Sequence, residues 1–180
     1  WLFATIPAAS GKGINAVAQI AQFRSVQNYS GNTALMWADD LRAVGGWSLL
    51  RTGMDWDLWL KLAGRCECVV IPDLLQYYRK HGNSMTANRD PRVGFEGHLQ
   101  ILRDNPSTQL LPPAAMRRAK RNKCIEFAHA FRVRSDWKSL SEALAHGLFA
   151  HHGWSDRHYL TEAARQLWRY AGQLMAPERG

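Results

Sequence analysis

Between Gly53 and Ala63 the chain reads Gly-Met-Asp-Trp-Asp-Leu-Trp-Leu-Lys-Leu-Ala, with two carboxylates set among tryptophans and leucines. Two chemistries suit such a stretch. An Asp-x-Asp string can hold a divalent metal against a diphosphate, provided both carboxylates turn toward one ion, as they do where a buried strand opens into a loop. Alternatively, one aspartate takes a proton from a hydroxyl and the other simply opens a helix. The residues just upstream, Arg51-Thr52-Gly53-Met54, do not form a strand core, and Trp56, Trp59, Leu60 and Ala63 recur downstream at helical spacing. Residues two apart on a helix diverge by about 200°, which disfavours one ion shared by Asp55 and Asp57. Asp57 is then expected to be helix N-terminal charge, favoured by about 0.3–1 kcal/mol. Asp55 sits at the loop-to-helix junction, behind a glycine and ahead of tryptophans able to exclude water, and is the candidate general base.

Other groups with chemical potential are less organised. Cys66, Cys68 and Cys124 form no disulfide framework, and Cys-x-Cys with one distant partner lacks zinc-ligand spacing. A reducing, cytoplasmic compartment is the expectation. His129, His146, His151, His152 and His158 gather in the second half, but none is paired with a carboxylate in a ligand pattern, and adjacent His151 and His152 diverge on a helix, so no metal site is expected there. Arg117-Arg118-Ala119-Lys120-Arg121-Asn122-Lys123 is a dense basic run on a predicted helix. It suits either a solvated face or contact with phosphates.

The elements that must position these groups fall into two regions, 1–90 and 91–180. The first reads as α/β: a helix over 14–26, a short strand or turn over 33–37, a helical turn over 38–44 stopped by Gly45-Gly46, the helix carrying Asp55 closed by Gly64, and strands over 66–71 and 74–79. Asp39-Asp40 looks like a helix-start pair. The second region carries no convincing strand. Helices are predicted over 94–103 and from Pro112-Pro113 to about Arg134. Another is capped by Ser135-Asp136, with Trp137, Leu140, Leu144 and Leu148 on one face. The last is capped by Ser155-Asp156, with Leu160, Ala164, Leu167, Ala171 and Leu174 as its stripe. Short connections predict antiparallel neighbours.

With 46% hydrophobic and 21% charged residues over 180 positions, the composition supports a packed core and argues against disorder. No apolar run reaches the length of a membrane span. The formal charge of +8 favours anionic partners such as nucleotide diphosphates or acidic lipid. The chain opens on Trp1, so a fragment is expected.

Three motifs stand in order: Leu41-Arg42-Ala43-Val44-Gly45-Gly46-Trp47, then Met54-Asp55-Trp56-Asp57-Leu58-Trp59-Leu60-Lys61-Leu62-Ala63, then residues 72–86 with Tyr78-Arg79-Lys80-His81-Gly82-Asn83-Ser84 at their centre. Together, over residues 32–86, they resemble the second half of the catalytic domain of family 2 glycosyltransferases, inverting enzymes of the GT-A fold. The resemblance implies a partial GT-A domain over 1–90 followed by a helical extension over 91–180. It implies an acceptor-side wall at Gly45, Gly46 and Trp47, with Trp56 beside it. The family's Glu-Asp dipeptide, whose aspartate deprotonates the acceptor, matches Met54-Asp55, so its glutamate is absent. Arg79, His81 and Ser84 match the segment near the donor diphosphate, where positive charge offsets the departing group. The implied partners are a nucleotide-sugar donor and a glycan or lipid-linked acceptor, the latter compatible with peripheral attachment at the inner membrane face. A divalent ion, Mg2+ or Mn2+, is implied through a strand-end Asp-x-Asp in the family's amino-terminal half. Nothing upstream of Asn32 supplies that motif, so no metal is expected on this chain, and it is not expected to turn over alone. The rival expectation is a non-catalytic basic helical module that binds nucleic acid or an anionic membrane surface through residues 117–123, although no nucleic-acid reading motif accompanies the run.

Overall fold

The computed structural model describes residues 13–22, 34–67 and 89–175. All regular elements among them are helical: α1 (Ile14–Gln22), α2 (Ala38–Ala43), α3 (Met54–Arg65), α4 (Pro91–Asp104), α5 (Pro113–Val133), α6 (Trp137–Phe149) and α7 (Arg157–Met175), with 3-10 turns at Thr108–Leu110 and Gly153–Ser155. The expected α/β partial GT-A domain is therefore overturned: there is no strand among the described residues, and only the helical second region agrees with expectation. Ala34 to Trp37 is irregular, and Cys66 and Glu67 leave α3 without entering a ladder; residues 68–79, where the other predicted strand positions fall, lie outside the described residues. The physical reason lies in where α3 buries its apolar side chains. Leu58 and Leu60 are fully buried in a cluster with Ala16, Val17, Ile20 and Ala21 of α1, Ile101 and Leu102 of α4 and Ala119 of α5. Helices cover α3 on the sides where a sheet was expected. That cluster draws on residues from both sides of position 90.

The local starts follow the sequence, except that α4 begins at Pro91, ahead of the predicted start at 94. Gly53 takes the left-handed conformation at φ +72° just ahead of α3, and a Cβ there would collide with Ile101 and crowd His98 of α4. Asp90 caps α4 by accepting from the Arg92 amide at 2.9 Å, with Pro91 in the first turn. Asp136 caps α6 through the Ser139 amide at 3.0 Å, and Asp156 caps α7 through the amides of His158 and Tyr159. Pro112-Pro113 launches α5.

A second cluster joins Cys124, Ile125, Phe127, Ala128 and Phe131 of α5 to Leu140, Ala143 and Leu144 of α6 and to Tyr159 and Tyr170 of α7. The face of α7 turned inward is not the expected one. Tyr159, Gln166 and Tyr170 are buried, whereas Leu160, Leu167 and Leu174 are exposed. The buried residues have polar tips that meet backbone or side-chain partners: Tyr159 donates to the Leu144 carbonyl at 2.6 Å, Tyr170 to the Ser135 carbonyl at 3.3 Å, and Gln166 accepts from Arg132 at 3.1 Å. The Tyr159 ring lies so close to Gly147 of α6 that a Cβ there would collide with it. Trp137 leaves the predicted α6 core face half-exposed and packs on Tyr170 at 5.1 Å. None of the helices among the described residues is long and apolar enough to cross a membrane.

The two clusters meet at Trp56. Its indole donates to the Ile20 carbonyl at 3.1 Å, stacks on His98 at 5.1 Å, and lies beneath the Lys123 ammonium at 4.5 Å. His98 in turn packs on Phe127 of the second cluster at 5.2 Å. Replacing Trp56 by Ala is expected to destabilise the chain by about 3–5 kcal/mol, read from equilibrium denaturation. His98 donates from Nδ1 to the Gly94 carbonyl at 2.8 Å, and burial, with Lys123 and Arg89 nearby, pushes its pKa down to about 3. In the unfolded chain the ring titrates near 6.5. Unfolding therefore takes up a proton between those values, and stability should fall as pH is lowered through 6.5. Urea midpoints measured from pH 7 to pH 5 should decline less steeply in His98→Gln than in the parent. Equal slopes would mean that the ring is already protonated when folded.

Candidate functional site

Asp55 and Asp57 occupy the first turn of α3 and diverge as two-residue helical spacing requires. Asp57 turns inward and is almost completely buried. Its carboxylate accepts from the Asn105 amide at 2.8 Å and pairs with Lys61 at 2.7 Å, while Asn105 also donates to the Asp57 carbonyl at 3.0 Å. Asn105 reaches onward, accepting from the Ser107 amide at 2.9 Å. Asp57 is thus more than helix-start charge: it anchors the turn after α4 to the start of α3. With Oδ1 bonded to Asn105, Oδ2 facing the Lys61 ammonium and Asp55 turned the other way, the Asp55–Asp57 pair does not fit a shared Mg2+ or Mn2+ ion.

Asp55 faces the other way and is partly exposed. Partial burial raises its carboxyl pKa, and the nearby Arg89 guanidinium opposes that shift. Arg89 is held in place: it donates to the Thr52 hydroxyl at 2.7 Å, and its carbonyl accepts from Arg134 at 2.7 Å. A carboxylate of raised basicity that is still open to solvent can accept a proton from a bound hydroxyl.

One turn along the same face of α3 lies Trp59, against which Trp47 packs edge-on at 6.3 Å and 72°. Trp47 follows a surface turn in which Gly45 and Gly46 both have positive φ, +78° and +65°. This double left-handed turn, which residues with side chains rarely adopt, stops α2 and brings Trp47 back toward α3. Trp47 keeps 43% of its surface exposed, enough to meet a ligand while Trp59 supports it. The structure thus sets Trp47, which follows the Gly45-Gly46 turn, against Trp59, one helical turn along α3 from Asp55.

Trp56 is placed differently from expectation. It is 3% exposed and sits in the core junction, so it cannot line an acceptor surface. Arg79, His81 and Ser84 lie outside the described residues. Asp39 and Asp40 are helix-start charges, as expected, paired with Arg42 at 2.6 Å and Arg65 at 3.1 Å. Arg89 and Asn105 were not singled out in the sequence. They meet α3 from dozens of residues away, and no local spacing announces such contacts.

The basic run does not form one basic face. Lys123 is fully buried and pairs with Glu126 at 2.8 Å; Arg121 pairs with Asp156 at 2.7 Å and donates to the His151 carbonyl at 2.8 Å. Farther along, Cys124, His146 and His151 converge, with ligand atoms all within 4.8 Å of one another. The signal was present as His-x4-His between His146 and His151, a spacing common in zinc sites, but its sulfur partner is a helix away.

No protein-family model, curated protein or solved structure matches this chain. The resemblance to family 2 glycosyltransferases rests on the quoted motifs alone. Replacing Asn105 by Ala, which leaves Oδ1 of buried Asp57 without its hydrogen-bond donor, is expected to cost about 1–3 kcal/mol. Thermal and chemical denaturation would measure it, and a neutral result would remove Asp57–Asn105 from the structural framework.

Proposed function

We propose that this chain supplies the general base and acceptor wall of an inverting sugar transferase that uses a nucleotide-sugar donor. The observation that carries the reading is the grouping on one face of α3 of a solvent-open carboxylate, Asp55, with the Trp47–Trp59 pair one turn away. An aromatic face beside a carboxylate suits a sugar: the ring covers the apolar C–H face, and the carboxylate addresses a hydroxyl.

In the proposed step the acceptor hydroxyl gives its proton to Asp55 as its oxygen attacks the anomeric carbon. The bond from that carbon to the diphosphate oxygen breaks, the nucleoside diphosphate leaves with the electron pair, and the centre inverts. A sugar hydroxyl is far less acidic than a carboxyl group, so proton transfer accompanies carbon–oxygen bond formation instead of preceding it. Partial burial of Asp55 favours this role by raising its basicity, and Arg89 keeps the carboxylate ionised. Charge on the departing diphosphate is assigned, by the resemblance, to Arg79 and His81. The acceptor is a glycan or lipid-linked sugar.

The rival basic-module reading loses support, because Arg121 and Lys123 are committed to internal partners and only part of the run remains for phosphates.

The test is release of nucleoside diphosphate from a panel of sugar nucleotides by the complete gene product, with and without glycan acceptors. Asp55→Asn should lower kcat by about 10²–10⁴-fold with little change in donor KM. The acid limb of the parent's pH profile should lie above the ordinary aspartate range, and Arg89→Gln should move it higher still, since the opposing positive charge is gone. Near-normal turnover in Asp55→Asn would exclude the assignment.

A further inference from the structure

We propose that Cys124, His146 and His151 form a binding site for one thiophilic transition-metal ion of the Zn2+ class. Cys124 projects from the middle of α5, His146 from the last turn of α6, and His151 from the loop between α6 and the Gly153–Ser155 turn. The Cys124 sulfur lies 4.0 Å from Nδ1 of His146, the two imidazoles meet edge-to-face with centroids 4.6 Å apart, and the three ligand atoms lie within 4.8 Å of one another. Around tetrahedral zinc, with bonds of about 2.0–2.3 Å, such atoms stand about 3.3–3.6 Å apart. Small side-chain rotations would close the gap.

The second observation is independent of this spacing. His151 is 8% exposed, and its Nε2 is buried without any hydrogen-bond partner. An orphaned imidazole nitrogen in a protein interior needs an explanation, and a metal ion supplies one. The His151 carbonyl is held by Arg121, one turn before Cys124 on α5. The loop is thereby tied to the helix that offers the sulfur.

The donor set selects the metal. One thiolate and two imidazoles suit Zn2+ and exclude Mg2+ or Ca2+, which require oxygen ligands. Metal binding takes neutral imidazoles and a thiolate. The ion displaces the Cys124 thiol proton, which passes to solvent as the sulfur–metal bond forms. Lys120 and Arg121 lie nearby and oppose a cation. Arg121 is already neutralised by Asp156, and the thiolate formed on binding offsets one charge of the ion. Three protein ligands leave a fourth position open beside partly exposed His146, where water completes a tetrahedron.

The test uses the full reduced chain under anaerobic titration with Co2+ as a spectroscopic probe, followed by Zn2+. The expected result is one Co2+ per chain, with tetrahedral visible bands and a thiolate-to-cobalt charge-transfer band that Zn2+ abolishes. Cys124→Ser should remove the charge-transfer band, and His151→Asn should weaken binding at least about tenfold, since loss of even an outer partner costs that much. His152→Asn and a Cys66→Ser/Cys68→Ser double variant should bind as the parent does. If Cys124→Ser fails to fold, His146→Asn, at a partly exposed position, carries the test by the same loss of affinity. Absence of the bands in the parent, their survival in Cys124→Ser or His146→Asn, or their loss with Cys66 and Cys68 would overturn the site.

Discussion

The indole of Trp56 is the point on which the described helices converge. Four of them reach it: α3 carries it, α1 accepts its N–H through the Ile20 carbonyl, α4 stacks His98 against it, and α5 lays the Lys123 ammonium over its ring. The junction is polar at its edges and apolar at its centre, so each partner is fixed in direction as well as in distance. His98 must remain neutral to stay there, while Lys123 gains from Glu126 part of what burial takes from its charged form. Through His98 and Phe127 the contact passes to the second apolar cluster. The direction of α3, and with it the outlook of Asp55, follows from this anchoring.

Two aspartates separated by one residue therefore end in different worlds. Asp57 turns inward and pairs with Lys61 one turn along α3, while Asn105 holds the first turn of α3 against the chain that follows α4. Asp55 is left facing outward, with Trp47 and Trp59 one turn along and Arg89 near its carboxyl. The buried carboxylate fixes the helix, and the open one is free for chemistry. The division of labour is what helical geometry demands of residues two apart.

In the second half, packing favours polar-tipped aromatics over the leucine stripe. Tyr159 and Tyr170 reach backbone carbonyls of α6 and of the turn before it, so each hydroxyl finds a partner while its ring is buried. Tyr159 also fits against Gly147, where the missing side chain lets the ring approach the helix. The same compact arrangement brings the end of α6 and the following loop onto α5, and with them the two histidines onto Cys124.

The sequence by itself determined the helix starts and stops. Pro112-Pro113, Asp136 and Asp156 act within one turn of themselves, as does Gly45-Gly46 after α2, so their effects are legible from neighbours alone. It also determined that Asp55 and Asp57 diverge, because that depends only on the helical repeat. What it left undecided is every question that turns on a distant partner. Helices rather than a sheet cover α3, Trp56 lies in the core instead of beside an acceptor, α7 turns its tyrosines inward, and Cys124 meets histidines from a neighbouring helix and loop. Apolar periodicity says that a face will be buried but not against what, since burial is non-directional. Hydrogen bonds and ring contacts to residues dozens of positions away make that choice, and those exist only once the chain has folded.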